Sequence, residues 1–83
     1  MRRLSEKVVE QIEERIFEDT EEEVLVEVTI VSTSFYKVTY LLKTEETELI
    51  RYYRLHLIDV TINKDLTIID QMSKSIIKHI IER

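Results

Sequence analysis

The chain has 83 residues with 17 acidic and 12 basic side chains, a formal net charge of −5, and no cysteine, glycine or proline. The lack of cysteine excludes disulfides, thiolate metal sites and thiol nucleophiles. The lack of glycine excludes phosphate-cradling loops and dinucleotide-binding fingerprints, because their backbones need positive φ and close approach to the ligand. These exclusions remove the ATPase, GTPase, kinase and dehydrogenase classes, and the length predicts one domain over residues 1–83.

The short length also bears on association and location. A chain of this size buries only about 60–65% of the surface that its unfolded form exposes, so its stability is modest unless it associates.

No apolar stretch approaches the roughly 20 residues of a membrane span, and acidic residues interrupt the N-terminal segment before a signal-peptide core develops. We expect a cytoplasmic protein that forms a homodimer.

The first predicted element is an amphipathic helix over about residues 3–18. Its apolar residues recur at helical spacing on one side, and its glutamates occupy the other sides. The apolar stripe consists of Leu4, Val8, Val9, Ile12 and Ile16. Such a helix needs a sheet on which to pack.

From Val24 onward the apolar period changes from 3.6 to two, which indicates strands. One face of the first strand carries Val24, Val26, Val28 and Ile30. One face of the second strand carries Tyr36, Val38, Tyr40 and Leu42. The polar residues between these runs predict a hairpin that turns near Thr33 without a glycine.

A third strand over about residues 48–61 is less regular, because apolar residues stand at both parities. A bulge that switches faces would explain this pattern, and so would burial on both sides. Residues 66–69 fit either a short fourth strand or the start of the last helix; we favour the strand, with Asp70 as the N-cap of a helix over residues 71–82. The predicted fold is α+β: an N-terminal helix, a three- or four-stranded antiparallel sheet and a C-terminal helix, with both helices on one sheet face.

The opposite face of the predicted sheet is apolar as well. The side chains that would point to water there are Leu25, Val31, Leu41 and Tyr52. An exposed apolar cluster usually marks a contact surface. We expect a second copy of the chain or another protein to cover it.

All of the excess negative charge lies in the first helix and its exit. Residues 1–23 hold nine acids and four bases, whereas residues 24–83 hold eight of each. The candidate acidic surface comprises Glu14, Glu18, Asp19, Glu21, Glu22 and Glu23. It is either a solvated helix face or a surface that meets a basic partner or imitates nucleic-acid phosphates.

The residue pattern offers no constellation typical of catalysis or metal binding. The two histidines, His56 and His79, form no HxxxH or HExxH pair, and a zinc site needs three or four converging ligands. The carboxylates fall on the first helix and the turns, where no pocket is predicted that would prepare one for general acid–base catalysis. We therefore predict no catalytic, cofactor-binding or metal-binding residues, and a protein that is not an enzyme.

An alternative function is nucleic-acid binding through a basic, tyrosine-rich strip on the sheet. The strip would comprise Lys37, Lys43, Arg51 and Arg54 with Tyr36, Tyr40, Tyr52 and Tyr53. Helix, three strands, helix is also the order of double-stranded RNA-binding domains, and the chain resembles them in topology alone. It has Asp70–Lys74 where those domains carry lysines, and it has no glycine-containing loop. A net charge of −5 also opposes phosphate binding.

The sequence therefore favours a small, non-enzymatic protein-binding module that is homodimeric and does not enter a membrane. The joint absence of glycine, proline and alanine indicates a very AT-rich gene. This composition favours an accessory protein of a virus or mobile element that inhibits or adapts a host protein.

Overall fold

The computed structural model describes residues 2–45 and 51–82, with the side chains of residues 2–43 and 53–82. In chain order the elements are β1 (Arg2–Arg3), α1 (Glu6–Thr20), β2 (Val24–Ser32), β3 (Phe35–Glu45), β4 (Arg51–Thr61) and α2 (Ile68–Glu82). The strands form one antiparallel sheet in the order β1-β2-β3-β4. The predicted α+β fold, with the sheet between an N-terminal and a C-terminal helix in the chain, is confirmed.

Both helices pack on one face of the sheet, as predicted. The helices contribute to the buried core Ile12, Ile16, Met72, Ile76 and Ile80. The sheet contributes even-numbered residues of its strands, namely Val24, Val28, Val38, Tyr40, Leu42 and Val60. Odd-numbered strand residues such as Leu25, Leu55 and Leu57 are exposed on the other face. The alternation of side chains along a strand produces this division.

Helix α1 ends at Thr20, two residues beyond its predicted end. Glu21 follows in the left-handed region at φ 58°, and its N–H donates to Phe17 O at 2.8 Å. Glycine usually occupies such a C-cap position because it has no Cβ. The Thr20 hydroxyl supports the glutamate here, since it donates to Ile16 O at 2.7 Å and accepts from Glu22 N–H at 3.2 Å. These bonds turn the chain toward β2.

Strands β2 and β3 form the predicted hairpin, which turns at Thr33 and Ser34. Ser32 pairs with Phe35 across the turn, and the register shifts between Ile30 and Ser32. The turn lacks glycine, and the Ser32 hydroxyl accepts a hydrogen bond from Ser34 N–H at 3.3 Å. Serine hydroxyls stabilise turns in this way by bonding to nearby backbone.

Strand β4 shows neither explanation offered for its mixed apolar pattern. Its pairing with β3 runs without a register shift from Arg51 to Thr61, so no bulge switches its faces over these residues. It is not buried on both sides, because Leu55 is 60% exposed and Leu57 is 74% exposed while Val60 is buried. It is a regular strand whose exposed face carries Leu55 and Leu57 and whose helix-covered face carries Ile58 and Val60.

The prediction of a strand over residues 66–69, with Asp70 as the helix N-cap, is wrong. Helix α2 begins at Ile68, and the Asp70 N–H donates to Thr67 Oγ1 at 3.1 Å. Thr67 is therefore the N-cap, and Asp70 is the third residue of the helix. The β-branched residues Ile68 and Ile69 favour a strand locally, but both pack against the core from the helix.

The fourth strand is instead β1, which the sequence pattern did not indicate. Arg3 pairs with Thr29 of β2, and Leu4 N–H donates to Val28 O at 3.0 Å. A strand of two arginines has no apolar alternation, so periodicity cannot detect it. It covers only one end of the outer edge of β2.

Candidate functional site

An open groove of about 470 Å³ is lined by the C-terminal half of α1, the start of β2 and the adjoining ends of β3 and β4. We call it the helix-end groove. The apolar side chains that line it are Phe17, Val24, Leu25 and Tyr53. The charged side chains that line it are Glu13, Glu14, Glu18, Glu23 and Lys43. Its volume is in the range of pockets that bind small molecules or a few side chains.

The helix-end groove brings together three of the six predicted acidic-surface residues, Glu14, Glu18 and Glu23. The other three, which lie on the last turn of α1 and at its exit, are Asp19, Glu21 and Glu22. Glu14 and Glu18 are four residues apart on α1 and so occupy neighbouring positions on the helix surface. Four carboxylates and one ammonium group line the groove, which gives it a formal charge of −3.

Two of these carboxylates bind groups within the chain. Glu13 Oε2 accepts a hydrogen bond from Val26 N–H at 2.9 Å. Lys43 Nζ donates to Glu23 Oε2 at 2.8 Å. Glu14 and Glu18, in contrast, are exposed to solvent at the groove. They are the carboxylates best placed to meet a ligand.

The predicted sheet face contains a row of leucines across three strands. Leu25 lies directly opposite Leu41, and Leu41 lies directly opposite Leu55. Residues opposed in this way have Cβ atoms about 4.5–5.5 Å apart. Leu57 extends the row along β4 on the same face. We call Leu25, Leu41, Leu55 and Leu57 the leucine cluster.

The two other predicted sheet-face residues lie outside the leucine cluster. Val31 is exposed at the register shift near the end of β2, about 20 Å along the strand from Leu25. Tyr52 pairs with Thr44 in the backbone ladder, and its side chain lies outside the described residues. The neighbouring Tyr53 is half-exposed on the face that carries the cluster.

Phe17, Leu55 and Leu57 are exposed apolar residues that the sequence patterns did not single out. Phe17 follows the buried Ile16 and lies off the apolar stripe of α1. An aromatic residue off the stripe is the signal that could have found it. No comparable signal existed for Leu55 and Leu57, because β4 has apolar residues at both odd and even positions.

The two histidines meet at a buried tyrosine between the sheet and α2. The Tyr40 hydroxyl hydrogen-bonds to His79 Nδ1, and the Tyr40 ring stacks on His56 with centroids 4.8 Å apart. The two imidazole centroids are 5.4 Å apart. Tyr40 is fully buried, and both histidines are partly buried. This arrangement joins the centre of the sheet to α2.

The predicted basic, tyrosine-rich strip is divided between the two faces of the sheet. Its members on the face with the leucine cluster are Lys37, Lys43 and Tyr53. Its members at positions on the helix-covered face are Tyr36, Tyr40 and Arg54. The side chains of Arg51 and Tyr52 lie outside the described residues. The described side chains of the strip therefore do not share one surface.

Metal ligands and membrane-spanning helices are not found in the described part of the chain. Over residues 2–45 and 51–82, no group of three or more His, Asp or Glu side chains is placed to hold a metal ion. Neither α1 nor α2 is long and apolar enough to cross a bilayer.

The helix-end groove and the leucine cluster adjoin, because Leu25 belongs to both. The groove combines apolar side chains with an excess of carboxylates, whereas the cluster consists of leucines. Comparison with known proteins does not extend this description, since no protein-family model, curated protein or solved structure matches the chain.

Proposed function

We propose that this chain is a small, non-enzymatic protein-binding module that forms a homodimer through the β4 side of its sheet. The observation that carries the proposal is the leucine cluster, in which Leu41 and Leu55 lie opposite each other and Leu57 is 74% exposed. Contiguous exposed apolar side chains mark contact surfaces in proteins. The cluster lies on the sheet face opposite the two helices, so its leucines are available for association.

Burial of the leucine cluster supplies free energy for that association. Fully burying one leucine side chain contributes about 1.5–3 kcal/mol relative to leaving it exposed. Complete burial of Leu55 and Leu57 in both copies would contribute at most roughly 4–8 kcal/mol, since each side chain is already partly buried. That sum is of the order of the translational and rotational cost of forming a dimer.

The open edge of β4 offers a second contact to the same partner. Ile62 N–H donates to Ser34 O at 2.8 Å, on the side that faces β3. Because the backbone groups of successive residues point in opposite directions in an antiparallel pair, the N–H groups of odd-numbered β4 residues point away from β3. Among the strands that the structure describes, none pairs with this edge. An unpaired edge 11 residues long is a ready template for another strand. Two antiparallel copies of β4 satisfy twofold symmetry and place their leucines side by side on one face of a continuous sheet, where each copy buries part of the other's cluster.

The solution molar mass, measured by light scattering across a dilution series, tests the proposal. We expect a dimer for the unmodified chain and a monomer for Leu57→Glu, because an exposed leucine is replaced by a charge at the contact. Ile81→Glu introduces the same charge at a comparably exposed apolar residue of α2, away from β4 and the leucine cluster, and should leave the dimer intact. A monomer at every concentration of the unmodified chain would overturn the homodimer.

A further inference from the structure

We infer that the helix-end groove binds a basic, amphipathic segment of a partner protein. The inference rests on the proposed protein-binding function and names the chemistry of its partner. Apolar side chains of the segment enter the groove, and lysine or arginine side chains meet Glu14 and Glu18. The segment binds by its side chains, as an amphipathic helix does in a groove.

The apolar part of the groove is available for such a segment. Phe17 is half-exposed and Leu25 is 56% exposed, although both line a concave surface where apolar side chains can be enclosed. Tyr53 adds a second exposed aromatic ring from β4. Aromatic side chains are enriched among the residues that dominate binding energy at protein interfaces. Phe17 is therefore the expected anchor on this side of the contact.

The charges of the groove select a basic segment. Lys43 binds Glu23, so one carboxylate of the groove is already neutralised. Glu14 and Glu18 lie one helical turn apart, about 6 Å along the axis, which matches two basic side chains at successive turns of a partner helix. Complementary charges at the edge of an apolar contact fix its orientation and speed its formation.

Strand addition is disfavoured at the groove. Its wall includes the outer edge of β2, where a peptide strand could otherwise pair with the backbone. The Glu13 carboxylate already occupies the Val26 N–H on that edge. A strand that paired there would have to displace this bond and place its carbonyl oxygens beside a carboxylate. Side-chain recognition carries no such cost.

A second copy of this chain fits the groove poorly. Residues 1–23 carry an excess of five negative charges, whereas residues 24–83 are balanced. Two copies that met groove to groove would bring like charges together without a compensating basic surface. A basic segment of another protein meets no such repulsion. Self-association is thus assigned to β4, and partner binding to the end of α1 and the start of β2, with Leu25 where the two surfaces adjoin.

Fluorescence anisotropy with a short labelled peptide of leucine and lysine, its leucines at helical spacing, tests the groove. A peptide with glutamate in place of lysine is the matched probe. We expect the lysine peptide to bind more tightly at low salt than at high salt, and the glutamate peptide to bind at neither. No saturable binding of the lysine peptide at low salt would overturn the inference.

Two pairs of variants locate the binding. The double variant Glu14→Gln, Glu18→Gln should weaken the lysine peptide about fivefold, whereas Glu82→Gln, Asp65→Asn changes the net charge equally outside the groove and should not. Phe17→Ala should weaken it about tenfold, whereas Ile81→Ala truncates an exposed apolar residue of α2 and should not. Circular dichroism of each variant verifies that it is folded.

The outcomes separate this inference from the homodimer. If the groove variants and their controls change the peptide affinity equally, the groove is not the binding site and the inference is overturned. The homodimer would then still be tested separately by the molar mass. A fall in molar mass caused by Phe17→Ala would identify the groove as a contact between copies and also overturn the inference. Peptide binding that is weaker in the groove variants than in their controls, at unchanged molar mass, supports the inference.

Discussion

The Glu13 carboxylate accepts a hydrogen bond from Val26 N–H at 2.9 Å, so a side chain of α1 covers part of the outer edge of β2. Farther along the same edge, Leu4 N–H donates to Val28 O at 3.0 Å. Successive outward-facing groups of β2 are thus bound within the chain. Proteins protect edge strands in such ways from pairing with other chains. The contrast with β4 directs the proposed self-association to the opposite edge of the sheet.

Replacing Glu13 tests whether its hydrogen bond protects this edge. We expect Glu13→Ala to speed hydrogen exchange at the Val26 amide about tenfold and to lower the free energy of unfolding by about 1 kcal/mol. Alanine also favours the helix by a few tenths of a kcal/mol, so amide exchange measured by NMR is the more direct observable. Glu13→Gln keeps a side-chain oxygen and should exchange like the unmodified chain. Equal exchange in Glu13→Ala would contradict this role of the carboxylate.

The N-cap of α2 is tested by two substitutions. Thr67→Ala should lower the free energy of unfolding by about 1 kcal/mol at any salt concentration, because the Asp70 N–H loses its acceptor. Thr67→Ser keeps the hydroxyl and should be close to neutral. Asp70→Ala should cost about 0.3–1 kcal/mol, and only at low salt, because it removes a partly exposed ion pair with Arg15 and a charge near the helix N-terminus. Urea denaturation at two salt concentrations measures both losses. A larger loss for Asp70→Ala than for Thr67→Ala, independent of salt, would instead identify Asp70 as the cap.

Elements with one apolar period were predictable from the sequence. The stripe of α1 that includes Ile12 and Ile16 places its apolar residues on one side, so the element and its buried face follow together. The same rule does not decide which face of β4 is buried, because Leu55 and Leu57 stand at odd positions and Ile58 stands at an even one. Only the pairing with β3 selects its buried face, and local sequence does not contain that pairing.

Tertiary contacts explain the other differences. Thr67 and Asp70 are both good N-cap residues, and the packing of the following isoleucines against the core decides between them. The acidic run at the end of α1 was visible in the sequence, but the groove beside it was not. Phe17 and Tyr53 line that groove from elements far apart in the chain, so no local pattern joins them.

Gln71 is a buried side chain that holds the loop between β4 and α2. Its Oε1 accepts from Asn63 N–H at 2.6 Å, and its Nε2 donates to Asn63 O at 2.6 Å and to Leu66 O at 3.1 Å. Gln71→Met keeps a similar shape without these bonds and should lower the free energy of unfolding by about 1–3 kcal/mol. Gln11→Met makes the same change at an exposed site on α1 and should stay within about 0.5 kcal/mol. Urea denaturation that finds equal effects would contradict the role of Gln71.

The hydrogen bond between Tyr40 and His79 is expected to stabilise the contact of α2 with the sheet. Tyr40→Phe removes the hydroxyl but keeps the ring, so the stacking on His56 persists. Because His79 then loses a partner in a partly buried position, the free energy of unfolding should fall by about 1 kcal/mol. Tyr53→Phe removes a hydroxyl from a half-exposed ring and should change it by less than about 0.5 kcal/mol.

A double-mutant cycle separates this bond from the other contacts of the two residues. Tyr40→Phe and His79→Leu are measured singly and together by urea denaturation. The hydroxyl has no imidazole to bind in the second variant, so the two losses should not add, and the coupling energy should be about 0.5–1.5 kcal/mol. A coupling energy near zero would show that the hydroxyl stabilises the fold through other groups. The expected coupling would identify the bond as a link between the centre of the sheet and α2, and would explain why a histidine rather than an aliphatic residue stands on this side of the helix.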